Sequence, residues 1–102
     1  MCIRDSNTIA HALVFVESRR AAVAPYPAGS NDLIEPIRDG LIPGEYSYRE
    51  IGELVTGIHP GRTSPEEITL YKSVGVAIQD AVAANLVLRQ ARTEGIGMEV
   101  VI

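Results

Sequence analysis

The first sustained apolar run, Ala12-Leu13-Val14-Phe15-Val16, is continuous rather than alternating. Such a run predicts a strand covered on both faces, as in a parallel sheet. Glu17-Ser18 ends it, and Ser18 is placed to N-cap a short helix over residues 19–23. Pro25 and Pro27 stop that helix, and Ala28-Gly29-Ser30-Asn31 reads as loop.

Three pairs then repeat one helix-start signal: Asp32 with Glu35, Ser47 with Glu50, and Ser64 with Glu67. Each sets a capping oxygen three residues before an acid, so that the pair can satisfy backbone N–H groups left open in a first turn. The first pair opens a short apolar turn (Leu33, Ile34, Ile37) closed by Gly40. The second opens a helix with Ile51, Leu54, Val55 and Ile58 at helical spacing and Gly57 near its end. The third has Pro65 at the first helical position, where a missing N–H costs nothing.

Residues 68–73 alternate and include β-branched and aromatic members, which predicts a second strand. Residues 74–94 predict one long helix. Ile78, Ala81, Val82, Ala84, Leu86, Val87 and Leu88 wrap most of its circumference, so it is expected to be buried on more than one side. Gly95 and Gly97 end it, and residues 98–102 predict a last short strand. Strands separated by helical segments indicate an α/β fold with a parallel sheet and right-handed crossovers. Two main strands are too few for a complete domain of that kind.

At 102 residues the chain has room for one domain. Its 46% hydrophobic and 22% charged content is that of an ordinary globular protein. A formal net charge of −4 argues against a nucleic-acid partner. A single cysteine, Cys2, excludes an internal disulfide. Apolar stretches break well before the roughly eighteen residues that would span a bilayer, and the start has no apolar signal segment, so no membrane partner and a cytoplasmic location are expected. Met1-Cys2-Ile3-Arg4-Asp5-Ser6 resembles translated adaptor sequence. Residues 1–7 are therefore expected to be a non-native leader and residues 8–102 the domain proper, belonging to a gene that began further upstream.

Open α/β sheets bind ligands beyond the carboxyl ends of their strands. Lys72-Ser73-Val74-Gly75 falls at such a junction. Ser73 can donate to a ligand oxygen, Gly75 permits close backbone approach, and Lys72, the only lysine, can face a phosphate. Spacing alone favours a plainer role, with Ser73 as N-cap of the long helix and Lys72 in solvent. His11 and His59 lack the paired spacing of a zinc site and read as structural or surface residues; no metal site is expected. The Pro60-Gly61-Arg62-Thr63-Ser64 turn fits an anion loop or simply a turn into a helix. Asp80 fits a catalytic carboxylate less well than a polar contact at a helix or subunit boundary. No glycine-rich dinucleotide fingerprint, metal motif or nucleophile constellation occurs, and no catalytic residue is assigned within the chain.

The run Pro60-Gly61-Arg62-Thr63-Ser64-Pro65-Glu66-Glu67-Ile68-Thr69-Leu70-Tyr71-Lys72-Ser73-Val74-Gly75-Val76-Ala77-Ile78-Gln79-Asp80 closely resembles the C-terminal signature of the ornithine cyclodeaminase/μ-crystallin family. Val14-Phe15-Val16-Glu17-Ser18-Arg19, Asp32-Leu33-Ile34-Glu35-Pro36-Ile37-Arg38-Asp39-Gly40 and Gly52-Glu53-Leu54-Val55-Thr56-Gly57 fall in the family's order upstream of it. The resemblance covers nearly everything after residue 8. It implies the C-terminal part of a Rossmann-type NAD(P)-binding domain, followed by a long helix that packs back on a missing substrate/dimerisation domain. It further implies NAD or NADP as cofactor, hydride transfer at a small amino or imino acid, and a homodimer at full length. Carried onto this chain, the resemblance makes Ser73 a cofactor contact and Val74 a substrate contact, overriding the plainer role of Ser73. The family's catalytic aspartate, glycine-rich loop and substrate-carboxylate arginine would lie upstream of residue 1. A non-catalytic binder of cofactor and small ligand, of μ-crystallin type, is the alternative. Two departures stand out: residues 24–31 are longer and richer in proline than the usual link, and Tyr71 replaces the common phenylalanine.

Overall fold

The computed structural model describes residues 5–25, 27–44, 46 and 48–101. The element order is α1 (Ser6–His11), β1 (Leu13–Val16), α2 (Arg19–Ala22), α3 (Asn31–Arg38), β2 (Arg49–Glu50), α4 (Ile51–Val55), β3 (Thr69–Lys72) and α5 (Ala77–Glu94). The strands form one parallel sheet in the order β2-β1-β3, with Phe15 opposite Arg49 and Tyr71, and Val16 opposite Glu50 and Lys72. The expected α/β class and buried central strand are both present. Val14, Phe15 and Val16 are all buried, as the continuous apolar run requires.

Val14 and Val16 share one face of β1, because successive side chains in a strand alternate. There they join Ile9, Ala12, Ala22, Leu33, Ile42 and Tyr48 in the core. α1 packs against α3 over this face. Tyr48 is 1% exposed, and its hydroxyl donates to the Leu33 carbonyl at 2.7 Å, which ties the segment before β2 to α3. Burial holds the Tyr48 phenol well above its ordinary pKa, with Tyr46 adding to the shift.

Asp5 caps α1 by accepting from the Thr8 N–H, and Ile9 enters the core. Several local readings need correction. α3 is a full helix capped at Ser30, so Asp32 lies inside its first turn rather than at the cap. Ser47 lies outside the described residues. The capping box of α4 is formed instead by Glu50 and Glu53. Only the acid half of the Ser64/Glu67 pair bonds as foreseen, and it builds only a turn: the Glu67 carboxylate accepts from the Thr63 and Ser64 N–H groups, the Glu67 N–H meets the Ser64 backbone carbonyl, and the chain enters β3 without a helix. β2 went unforeseen because two polar residues carry no hydrophobic period; its partner β1 defines it.

The long helix is present, and its apolar residues are uncovered, as expected of a helix whose packing partner was placed outside this stretch of chain. It starts at Ala77, not Val74, and no residue along it is buried. Ile78, Val82, Leu86, Val87 and Leu88 are each at least half exposed, because nothing among the described residues packs over them. The radius of gyration is 17.8 Å, against about 13 Å for a compact domain of this size, because α5 stands off the sheet. Val55 and Ile58 of the α4 region are likewise exposed. The expected final strand is absent among the described residues, and residues 98–101 have no regular structure and are exposed.

Candidate functional site

The carboxyl ends of β1 and β3 lie side by side, since parallel pairing sets Val16 opposite Lys72. The next residues on each strand, Glu17 and Ser73, therefore meet. Ser73 Oγ donates to Glu17 Oε1 at 3.0 Å. The Val74 and Gly75 N–H groups donate to the same oxygen at 2.6 and 2.5 Å. Gly75 takes φ +82°, a left-handed turn that glycine adopts without strain and that swings two successive N–H groups to one point. Glu17 Oε2 is buried without a hydrogen-bond partner among the described residues. Burial pushes the Glu17 carboxyl up, but hydrogen bonds from its own N–H, Ser73, Val74 and Gly75 outweigh it and hold the group below its ordinary range.

This arrangement changes the reading of Ser73. The helix N-cap is Val76, so Ser73 does not cap α5. Nor is its proton available to a ligand oxygen, because an ionised carboxylate only accepts and claims it. Ser73 Oγ also accepts from the Gly75 N–H at 3.1 Å. A hydroxyl has one donor and two acceptor positions, so one acceptor position remains on this exposed side chain.

Lys72 is partly buried and paired at the edge of the strand ends. Its Nζ lies 2.8 Å from Asp32 Oδ2, and Asp32 is 3% exposed in the first turn of α3. An acid there is favoured by the helix dipole as well as by the lysine. Together Ser73, Val74, Lys72, Asp32 and the 27–31 segment enclose an open cleft of about 360 Å³ beside the strand ends. The proline-rich stretch that departs from the family pattern thus forms one wall of the cleft. It closes on itself tightly: Ser30 N–H donates to the Ala22 carbonyl at 2.9 Å, and a Cβ at Gly29 would fall 2.0 Å from the Ala24 oxygen.

The other candidates lie elsewhere. Asp80 is exposed in the first turn of α5. His59 packs edge-on to Phe15 at 5.3 Å, with Arg49 Nε and Gly61 N at 2.8 and 3.0 Å from its ring nitrogens, which is a structural setting. His11 Nδ1 lies 2.8 Å from the Asn7 carbonyl. Arg62 reaches Thr69 Oγ1, so the Pro60–Ser64 turn is braced against β3. No cluster of three or more metal-ligating side chains occurs among the described residues. None of the helices there is long and apolar enough to cross a membrane.

Sequence reasoning missed two features. Glu17 was read only as a strand stop, although an acid directly after a buried strand sits where open sheets bind ligands. The clamp built by Arg19 gave no local signal. Its guanidinium forks onto both Glu53 oxygens at 3.0 Å while its N–H donates to Glu50 Oε1, joining α2 to α4 across a long stretch of chain. Hydrogen bonding to Arg19 holds the Glu53 carboxyl below its ordinary range.

Residues 6–95 match the ornithine cyclodeaminase/mu-crystallin family. The chain belongs to that family. It is 39% identical to the Delta(1)-pyrroline-2-carboxylate reductase of Bacillus cereus over 90% of its own length and 27% of the relative's. Among solved structures it is similar to the Thermococcus litoralis Delta(1)-pyrroline-2-carboxylate reductase in complex with NADH and L-proline. There the TM-score is 0.77 at 36% identity, over 94% of this chain and 28% of that one. The iminosuccinate reductase of Paracoccus denitrificans in complex with NAD+ gives a TM-score of 0.73 at 30% identity, over 96% of this chain and 28% of that one. The parallel sheet and long helix thus match part of the family's Rossmann-type domain, and the chain spans little more than a quarter of these relatives.

Proposed function

We propose that this chain is the C-terminal part of an NAD(P)-dependent oxidoreductase that reduces a cyclic or open-chain imino acid, and that Ser73 meets the cofactor and Val74 the substrate. The observation that carries this reading is the cleft at the joined carboxyl ends of β1 and β3, where Ser73 and Val74 stand together. Its support is the 36% identity over almost the whole chain to a reductase holding NADH and L-proline. Such relatives favour reduction over the cyclodeaminase reaction that the family name suggests.

A bound nicotinamide would supply the hydride. The donor set fits that kind of ligand: Ser73 is exposed, keeps one acceptor position, and lies on a backbone turn held rigid by Glu17. This chain's own part is to bind and orient. Ser73 presents a fixed oxygen, Val74 an apolar side chain, and the 27–31 segment a wall that limits the size of the occupant. The groups that move protons belong to the upstream part of the protein, as does the segment that would cover α5. A homodimer, a cytoplasmic location and inactivity of these 102 residues alone belong to the same proposal.

The deciding experiment expresses the full-length gene product and follows NADH and NADPH oxidation with Δ1-pyrroline-2-carboxylate, with ornithine deamination assayed in parallel. Reduction of the imino acid with no ornithine turnover is expected. Cofactor and ligand binding without turnover of either would replace this reading with the non-catalytic binder.

A further inference from the structure

The carboxylate of Glu17 collects three donors on one oxygen and leaves the other buried with no partner among the described residues. A buried polar atom left unpaired costs stability, so an acid kept here calls for a reason other than packing. The three donors supply one. They come from Ser73, Val74 and Gly75, the residues that wall the cleft and the turn behind it.

We propose that Glu17 is a positioning residue: its carboxylate fixes the Ser73 hydroxyl and the 73–75 backbone, so that Ser73 meets its ligand as a hydrogen-bond acceptor. Without that carboxylate the hydroxyl loses the acceptor that fixes its proton, and the turn at Gly75 loses the anion on which its two N–H groups converge. The ligand group that faces Ser73 is then an N–H donor rather than a carbonyl or phosphate oxygen. This inference rests on the reading that Ser73 contacts the cofactor, and its test separates the two.

The experiment titrates full-length protein with NADH and NADPH by fluorescence, for wild type, Glu17→Met, Glu17→Gln, Ser73→Ala and the Glu17→Met/Ser73→Ala double variant. Amide exchange at Val74 and Gly75 is followed in the cofactor-free protein. Methionine matches the length of glutamate but accepts no such bonds. Glu17→Met is expected to weaken cofactor binding about tenfold, since charge-assisted hydrogen bonds are the strong ones. Glu17→Gln, which keeps an acceptor, recovers most of the loss. In the Ser73→Ala background the effect of Glu17→Met falls to roughly threefold or less, because the two residues act as a unit. Exchange at Val74 and Gly75 quickens in Glu17→Met before cofactor is added. Should Glu17→Met fail to fold, Glu17→Asp takes its place, with the charge kept but one methylene too short to reach the turn.

Ser73→Ala weakening cofactor binding while Glu17→Met leaves it within about twofold overturns the positioning role and spares the Ser73 assignment. Fully additive losses overturn it as well. No change in cofactor affinity for Ser73→Ala overturns the Ser73 assignment and the positioning role with it.

Discussion

The sheet and the terminal helix are built from similarly apolar sequence, yet their side chains end in opposite environments. Leu33 in α3 is fully buried, whereas Leu86 in α5 is 66% exposed. Around the core face of β1 the apolar residues have partners within the chain: β1 lies between two strands, and Ile9 of α1 and Leu33 of α3 join Val14 and Val16 in the core. α5 carries apolar residues too, and among the described residues nothing covers them. Hydrophobic pattern therefore reports what a segment is made to pack against, but not whether that surface lies in the same stretch of chain. Burial of an apolar side chain is worth roughly 1.5–3 kcal/mol, so the two regions differ by a stabilisation that α5 has yet to collect.

One substitution made in both places gives the largest expected contrast. Leu33→Ala should destabilise the chain by about 2–5 kcal/mol, because it opens a cavity among Val14, Val16 and Tyr48. Leu86→Ala should stay within about 0.5 kcal/mol in this chain. In the full-length protein the Leu86→Ala cost should rise to about 2 kcal/mol or more if α5 is covered there. Urea denaturation of both variants in both lengths makes the comparison. Equal, negligible costs for Leu86→Ala in the two lengths would mean that nothing covers α5.

The next contrast is electrostatic. Lys72→Met removes the cation beside the Asp32 carboxylate at 3% exposure and should cost about 3 kcal/mol, the usual consequence of removing one member of a buried pair. Arg92→Met, which breaks the exposed contact between Arg92 and Glu99 at the end of α5, should cost well under 1 kcal/mol. Thermal melts at constant salt read both. A small loss for Lys72→Met would show that Asp32 relaxes into water when the lysine leaves.

Acid separates the regions as well. Glu17, Glu53 and Glu67, all in the sheet region, have carboxyls held below their ordinary range, by hydrogen bonds from the 73–75 turn, by Arg19, and by the Thr63 and Ser64 N–H groups respectively. For a lowered pKa the unfolded chain binds the extra proton. The stability contributed is therefore complete above the ordinary carboxyl value near 4.3 and is lost as pH falls through the lowered values. Denaturation midpoints should be flat from neutral pH down to about 5 and then fall. Glu53→Gln should flatten part of that fall, and an unchanged acid limb would remove Arg19 and Glu53 from its causes.

How much of this was legible depended on the range of the interaction. The strand at Val14 and Val16, the Ser18 cap and the turns at Gly40, Gly57 and Gly95 follow from neighbours a few residues away. The pairings of Arg19 with Glu53, Lys72 with Asp32 and Glu17 with Ser73 exist only once the parallel sheet brings distant segments together. β2 is the same case in backbone form. The signature around Ser73 marked the place of the candidate site, yet it did not disclose that the hydroxyl donates its hydrogen bond to Glu17. That fact required the register of β1 against β3.

The smallest expected effect tests whether the two regions are energetically separate. α5 begins at Ala77 with Val76 as its N-cap, whose side chain makes no capping bond; only the Val76 carbonyl accepts there, from the Gln79 N–H. Val76→Ser supplies an oxygen at that position, and a serine cap over an apolar one is worth about 1 kcal/mol to a helix end. Because α5 stands off the sheet, that gain should appear in the helix alone. Far-ultraviolet helicity should rise slightly, and the amides of Ile78 and Gln79 should exchange more slowly. The melting midpoint of the sheet region, followed through Tyr48, should hardly move. A midpoint that rises with the helicity would show α5 and the sheet unfolding as one cooperative unit, and the contrast between Leu33 and Leu86 would then reflect only local packing.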